Sequence, residues 1–152
     1  MLMRYRSVAN TGYDVFHDLL NEYYREGEDA ETPQTEIDGF IQYLFDLCQS
    51  GKISGSICFD EIPVGFVLWN VDRLDGPFCN KPGFGTILEI GVSADKRGTG
   101  IGRKLVDLAE SRMDTKQFYV CAYGPAQKFW SRCGYELSGE TAENGLPIMV
   151  KG

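Results

Sequence analysis

A chain of 152 residues is the size of one ordinary domain and long enough to bury a core. With 43% hydrophobic and 24% charged residues it is neither disordered nor fibrous, and a net charge of −7 argues against a nucleic-acid binder, which needs a basic face. Five scattered cysteines without a C-x-x-C pair and a single histidine point to no disulfide framework and no metal site, and no apolar window is long enough for a signal peptide or membrane span, so a cytoplasmic location is expected.

No repeat, low-complexity tract or linker interrupts the chain, so one domain over 1–152 is expected. Residues 3–8 read as a short strand. Val15, Phe16, Leu19, Leu20 and Tyr23 recur at helical spacing over about 14–24. After the acidic stretch "REGEDAETP", a second helix is expected with Thr32 as N-cap and Pro33 at its first position, an apolar face of Ile37, Phe40, Ile41, Leu44 and Cys48, and a stop at Gly51.

The period then becomes strand-like. "ISGSICF" and "PVGFVLWNV" read as a hairpin with a tight acidic turn. "DRLDGPFCNKPGFG" is a Gly/Pro-punctuated loop, too long for a simple hairpin connection. "TILEIGV" reads as a central strand, apolar on both faces except for Glu89. A helix follows over about 100–113, with Ile101, Leu105, Leu108 and Ala109 buried, then the strand "QFYVCAY", a helix across "PAQKFWSRC" stopped by Gly134, and a closing pair of strands through "LPIMVK". The class is α+β with a mixed sheet and one β-α-β crossover.

That crossover carries "DKRGTGIGRKL", with Gly98, Gly100 and Gly102 at alternate positions. A strand passing through a glycine-rich loop into a helix start presents unpartnered N–H groups and the positive end of the helix dipole, which suits a phosphate or pyrophosphate. Lys96, Arg97, Arg103 and Lys104 add local positive charge. The spacing is not that of a P-loop, because Arg103, Lys104 and Leu105 follow Gly102 without the required hydroxyl, nor is it the G-x-G-x-x-G dinucleotide fingerprint.

"RGTGIG" resembles the acetyl-coenzyme A motif [QR]-x-x-G-x-[GA] of the Gcn5-related N-acetyltransferases (GNAT). "AQKFWSRCGYE" is similar to that family's later helix and strand start, and "DEIPVGFVLW" to its second hairpin, so the resemblance runs over nearly the whole chain. It implies a mostly antiparallel central sheet with one splayed pair of parallel strands and about four flanking helices. The implied activity is transfer of an acetyl group from acetyl-CoA to a primary amine, without a metal, nucleic acid or membrane, and it admits a homodimer without specifying one.

The resemblance also assigns residues. The backbone of Arg97, Gly98, Thr99, Gly100, Ile101, Gly102 and Arg103 would hold the pyrophosphate, with Lys104 beside it. Ile90, Gly91 and Val92 would pair with the pantetheine arm like an added strand, and the Val92 N–H would polarise the thioester carbonyl. An unperturbed alkylamine, with a pKa of about 10.4, must lose a proton before attack. Glu89 is the expected base, or a partner of a structural arginine. The family's usual thiolate-protonating tyrosine falls on Trp130, which cannot donate and is expected to pack on the coenzyme arm or in the core. Tyr123 is the substitute donor, with Cys121, Cys133 and water as alternatives.

Glu22, Glu26, Glu28, Asp29 and Glu31 place negative charge where the family's acceptor cleft opens, offset by Arg25, and Tyr23, Tyr24, Phe78 and Phe84 are candidate walls. A polyamine, an aminoglycoside-like compound or a basic peptide N-terminus would suit that charge, and a solvated acidic loop would look the same. A noncatalytic acyl-CoA-binding module of the same fold is the second class, since it too would bind the coenzyme.

Overall fold

Phe16, Leu19, Leu20 and Tyr24 recur at helical spacing and are the buried side chains of the first helix, α1 (Tyr13–Glu26). The structure, a computed structural model, describes residues 3–27 and 29–152, so Glu28 of the acidic stretch lies outside the described residues. In chain order the elements are β1 (Arg4–Ser7), α1, α2 (Gln34–Gln49), β2 (Ser54–Asp60), β3 (Ile62–Val71), β4 (Gly85–Val92), α3 (Ile101–Arg112), β5 (Phe118–Cys121), α4 (Gln127–Arg132), β6 (Glu136–Thr141) and β7 (Pro147–Lys151). The seven strands form one mixed sheet in the order β1-β2-β3-β4-β5-β7-β6. The β1–β2, β5–β7 and β6–β7 pairs are antiparallel, and the crossover through α3 makes β4 and β5 parallel, paired at Gly85↔Phe118 and Thr86↔Tyr119.

By packing, Met1–Leu68 with Glu89–Leu105 form one compact unit, and Trp69–Leu88 with Val106–Gly152 form another. In the first, α1 and α2 meet along a seam of both kinds of chemistry. Phe45 packs against Tyr13 and Phe16 at ring-centre distances of 5.2 and 5.5 Å. His17 Nε2 pairs with Asp38 at 2.8 Å, and Gln34 donates to Asn21 at 2.7 Å. Ile37, Ile41, Leu44, Leu47 and Cys48 are the buried face of α2. Phe40 is 41% exposed, against Tyr24 and Tyr43 at ring-centre distances of 6.0 and 6.3 Å, and Leu47 takes the core place expected of Phe40. The helix also begins later than expected: Pro33, extended at ψ 139°, is the N-cap and Gln34 the first helical residue, while Gly51 ends it at φ +74°.

The second unit is organised around Asp72, which is 1% exposed. Its N–H donates to Phe84 O and its C=O accepts from the Gly83 N–H, each at 2.8 Å, closing at its base the Gly/Pro-punctuated loop between β3 and β4. Tyr119, Ala142 and Ile148 form a local core onto which Phe84, Cys121 and Val150 pack. At the far end, Glu110 accepts from the Tyr135 hydroxyl at 2.7 Å and from Lys151 Nζ at 2.8 Å. In β6 the register against β7 shifts between Leu137 and Thr141, with Gly139 at φ +85°. Three expectations are adjusted here: β5 is confined to Phe118–Cys121 and excludes Tyr123, the last helix begins as a 3-10 turn over Gly124–Ala126, and on α3 Val106 is fully buried while Leu108 is only half-buried.

Candidate active site

Ile90, Gly91 and Val92 end β4, all half-buried, and a short turn over Ala94–Lys96 leads to the glycine loop and α3. Gly98 and Gly100 sit at φ +79° and +86°, and a Cβ on either would meet nothing within 4 Å. Both therefore hold a left-handed backbone that glycine adopts without strain, and no protein atom crowds either position. Gly102 has a different place, inside the first turn of α3.

Lys104 is the first residue of α3 to bond back, its N–H donating to Gly100 O at 3.2 Å. The N–H groups of Ile101, Gly102 and Arg103 therefore lack intrahelical acceptors, as at any helix start. Gly98, Thr99, Gly100, Arg103 and Lys104 are exposed, whereas Ile101 turns into the core at 3% exposure. The Thr99 hydroxyl donates to Lys96 O at 2.6 Å and braces the loop. Among the described residues Arg103 and Lys104 make no ion pair, while Lys96 is paired with Asp60 at 3.3 Å and Arg97 with Glu26 at 2.5 Å. The positive potential expected of all four basic residues thus rests on Arg103, Lys104 and the helix dipole.

At the β4 end, the Ser93 N–H donates to Val64 O of β3 at 2.8 Å. Consecutive strand residues direct their backbone groups to opposite edges, so the N–H and C=O of Val92 face away from β3. Arg97 Nε donates to that Val92 carbonyl at 3.0 Å. A recess of about 210 Å³, counting its open mouth, lies here between Glu22 and Tyr23 of α1, Phe66 of β3, and Gly91, Val92 and Arg97. Gly91 is needed for its shape: a Cβ there would stand 2.6 Å from Phe66 and 2.9 Å from Tyr23, whose rings meet edge-on at 5.5 Å.

Glu89 shares a strand face with Gly91, two residues on. It is half-buried, and Tyr24 of α1 lies within its electrostatic reach. Burial first, and then the Glu89 carboxylate, push the Tyr24 phenol far above its ordinary range. The Tyr24 hydroxyl is buried without a hydrogen bond of ordinary geometry.

All the expected site residues from Glu89 to Lys104 fall in the first unit, and Tyr123 and Trp130 in the second. Tyr123 is half-buried and precedes the 3-10 turn, its C=O accepting from the Ala126 N–H at 2.9 Å. Trp130 is 6% exposed and packs edge-on against Phe129 and Tyr135, at 5.1 and 5.3 Å, which is a core environment. Cys133 is buried, and burial, then the charge of Asp72, push the Cys121 thiol up. Of the expected acceptor walls, Tyr23 lines the recess, Tyr24 is core, and Phe84 packs into the second unit. Phe66 carried no signal in the sequence, where it is an ordinary strand hydrophobe, and Glu26 stood only for acidic charge at the cleft, its pairing with Arg97 becoming visible in the fold.

The model of the Acetyltransferase (GNAT) family matches residues 13–135. No curated protein sequence matches the chain. Among solved structures, the PaiA N-acetyltransferase of Thermoplasma acidophilum in complex with coenzyme A superposes with a TM-score of 0.72 at 16% identity, covering 99% of both chains. A Corynebacterium glutamicum structure described as histone acetyltransferase HPA2 and related acetyltransferase gives 0.72 at 18% identity, covering 99% of this chain and 96% of its own. AAC(6')-Iy in complex with the bisubstrate analog CoA-S-monomethyl-acetylneamine gives 0.68 at 14% identity, covering 90% and 92%.

Proposed function

The chain belongs to the GNAT acetyltransferase family, and from that premise we propose that it is a single-domain, acetyl-CoA-dependent N-acetyltransferase acting on a primary amine of a small molecule or peptide. The observation that carries the reading is the loop after β4: two glycines at positive φ deliver exposed backbone to an α3 start whose first N–H groups lack intrahelical acceptors, beside the exposed Arg103 and Lys104. A pyrophosphate suits those groups, and the residues present fit it. The likeness to a coenzyme A complex and to a CoA-linked bisubstrate complex supports the same ligand.

In this reading the acceptor nitrogen attacks the thioester carbonyl carbon, the C–S bond breaks, and the Val92 N–H stabilises the carbonyl oxygen as it gains charge. Glu89 takes the amine proton. The departing thiolate is protonated by Tyr123 or by water, and a thiol with an ordinary pKa of about 8.5 makes water sufficient. Exposed Glu22 at the mouth of the recess favours a cationic acceptor over an acidic one.

A noncatalytic acyl-CoA-binding module is the second reading, favoured by the core packing of Trp130 where the family's usual proton donor would stand. Thiol release from acetyl-CoA, measured against spermidine, an aminoglycoside and a basic peptide, separates the two. Turnover with any amine supports the enzyme; coenzyme A binding with no turnover supports the module.

A further inference from the structure

Glu26 is the last residue of α1, where a carboxylate opposes the helix dipole. It stands there with a partner 71 residues away in sequence, since Arg97 Nη2 donates to its Oε2. The same guanidinium, through Nε, donates to Val92 O at 3.0 Å. That carbonyl faces the β4 edge turned away from β3, because the neighbouring Ser93 N–H is the one that bonds to Val64.

On the reading above, that edge is where the amide groups of the pantetheine arm would pair. Arg97 is thus a self-supplied donor on an acceptor the coenzyme would use, and Glu26 is what keeps it there. We propose that Glu26 is a positioning residue for coenzyme binding: it holds the Arg97 guanidinium across the Val92 carbonyl, and the pantetheine arm must displace it. Both side chains are partly exposed, 53% for Arg97 and 36% for Glu26, so the tie is weak enough to open in ordinary binding. Once displaced, the guanidinium is free to meet the phosphates beside its own loop, and Glu26 adds its charge to that of Glu22 near the recess.

This rests on the coenzyme reading, and two measurements keep the two apart. Coenzyme A is titrated calorimetrically into wild-type protein, Glu26→Gln and Glu26→Asp. The side-chain Nε–H resonance of Arg97, assigned by its loss in Arg97→Lys, is followed in the same proteins with and without coenzyme A. Glu26→Gln is expected to bind about two- to fivefold tighter, the range that loss of a partly exposed ion pair commands, with Glu26→Asp in between. The Arg97 resonance should shift when the wild-type protein is loaded, and should already be displaced toward the loaded position in free Glu26→Gln.

Equal or weaker coenzyme affinity in Glu26→Gln would overturn the role of Glu26 while leaving coenzyme binding intact. Tighter binding with the Arg97 resonance unmoved in free Glu26→Gln would be a bulk-charge effect and would overturn it as well. A wild-type protein that binds no coenzyme A removes the underlying reading, a result the other outcomes cannot imitate.

Discussion

The phenol of Tyr119 donates to Asp72 Oδ2 at 2.5 Å, and the same oxygen accepts from the backbone N–H groups of Asn80 and Lys81 at 2.7 and 3.0 Å. Three donors on one carboxylate oxygen fix the loop after β3 to β5, and Oδ1 is buried without a partner. Burial and this carboxylate both push the Tyr119 phenol up, so it keeps its proton throughout the working pH range.

Removing the acceptor strands the buried Tyr119 hydroxyl and two part-buried backbone N–H groups at once, so Asp72→Ala should cost about 2–4 kcal/mol. Tyr119→Phe, which removes one charge-assisted bond and leaves the backbone pair, should cost about 1.5–3 kcal/mol. Urea denaturation measures both. Limited trypsin digestion should also cut after Arg73, an exposed residue of this loop, faster in Asp72→Ala than in Tyr119→Phe.

The seam between α1 and α2 should weaken as pH rises. The hydrogen bond to Asp38 raises His17 above its ordinary 6.5, burial partly opposes this, and Asp18 adds to the rise. A folded pKa above the unfolded one gives stability that is fully present below the unfolded value and is lost as pH climbs through the folded one. Asp38 is shifted the other way, lowered by His17 first and then Gln34, so its share is present above its ordinary value and fades as pH falls through the folded one. This contribution to the melting temperature should therefore decline in the wild-type protein as pH rises from about 6.5 upward. In His17→Gln that part of the decline should be missing.

Gly98→Ala and Gly100→Ala should each cost about 1 kcal/mol, because the cost is a left-handed backbone and no contact adds to it. Asn tolerates that conformation better than Ala, so Gly100→Asn should melt above Gly100→Ala. At Gly91 the cause is crowding, since Phe66 and Tyr23 occupy the space a Cβ would need. Gly91→Ala should cost about 1–3 kcal/mol, and Gly91→Asn should offer no relief. The contrast in melting temperature between the two positions is the check.

If Glu89 takes the amine proton, Glu89→Gln should lower kcat by about 10²–10⁴-fold while coenzyme A affinity stays within twofold. Tyr24→Phe removes a buried hydroxyl that lies beside the Glu89 carboxylate, and urea denaturation of the variant checks that the fold is kept. Any change in the acid limb of its pH–rate profile would then report the Tyr24–Glu89 proximity and not lost structure.

The sequence was most legible where chemistry is local. Alternate glycines between an apolar strand and an amphipathic helix announced the β4–α3 loop, and Glu89 stood out as the single ionisable group of its strand. The pairings were not legible, because periodicity identifies a face without saying what covers it. Phe40 and Leu47 both fit the stripe of α2, and only packing sends one outward. Arg97 and Glu26, or Asp72 and Tyr119 at 47 residues' separation, are joined by the fold and by no pattern either residue carries. The left-handed dihedral angles of Gly98 and Gly100 were likewise not legible, since the sequence marks a glycine loop without giving its backbone conformation.

The register shift in β6 bears on solubility. β6 is an outer strand of the sheet, with Leu137 59% exposed on it, and a straight strand of that kind would be a template onto which another chain could add. The irregularity around Gly139 breaks the even row of donors and acceptors such addition requires, and Glu136 and Glu140 set charge along the same strand. The protein thus carries its own guard against edge-to-edge aggregation, and straightening that strand would remove it.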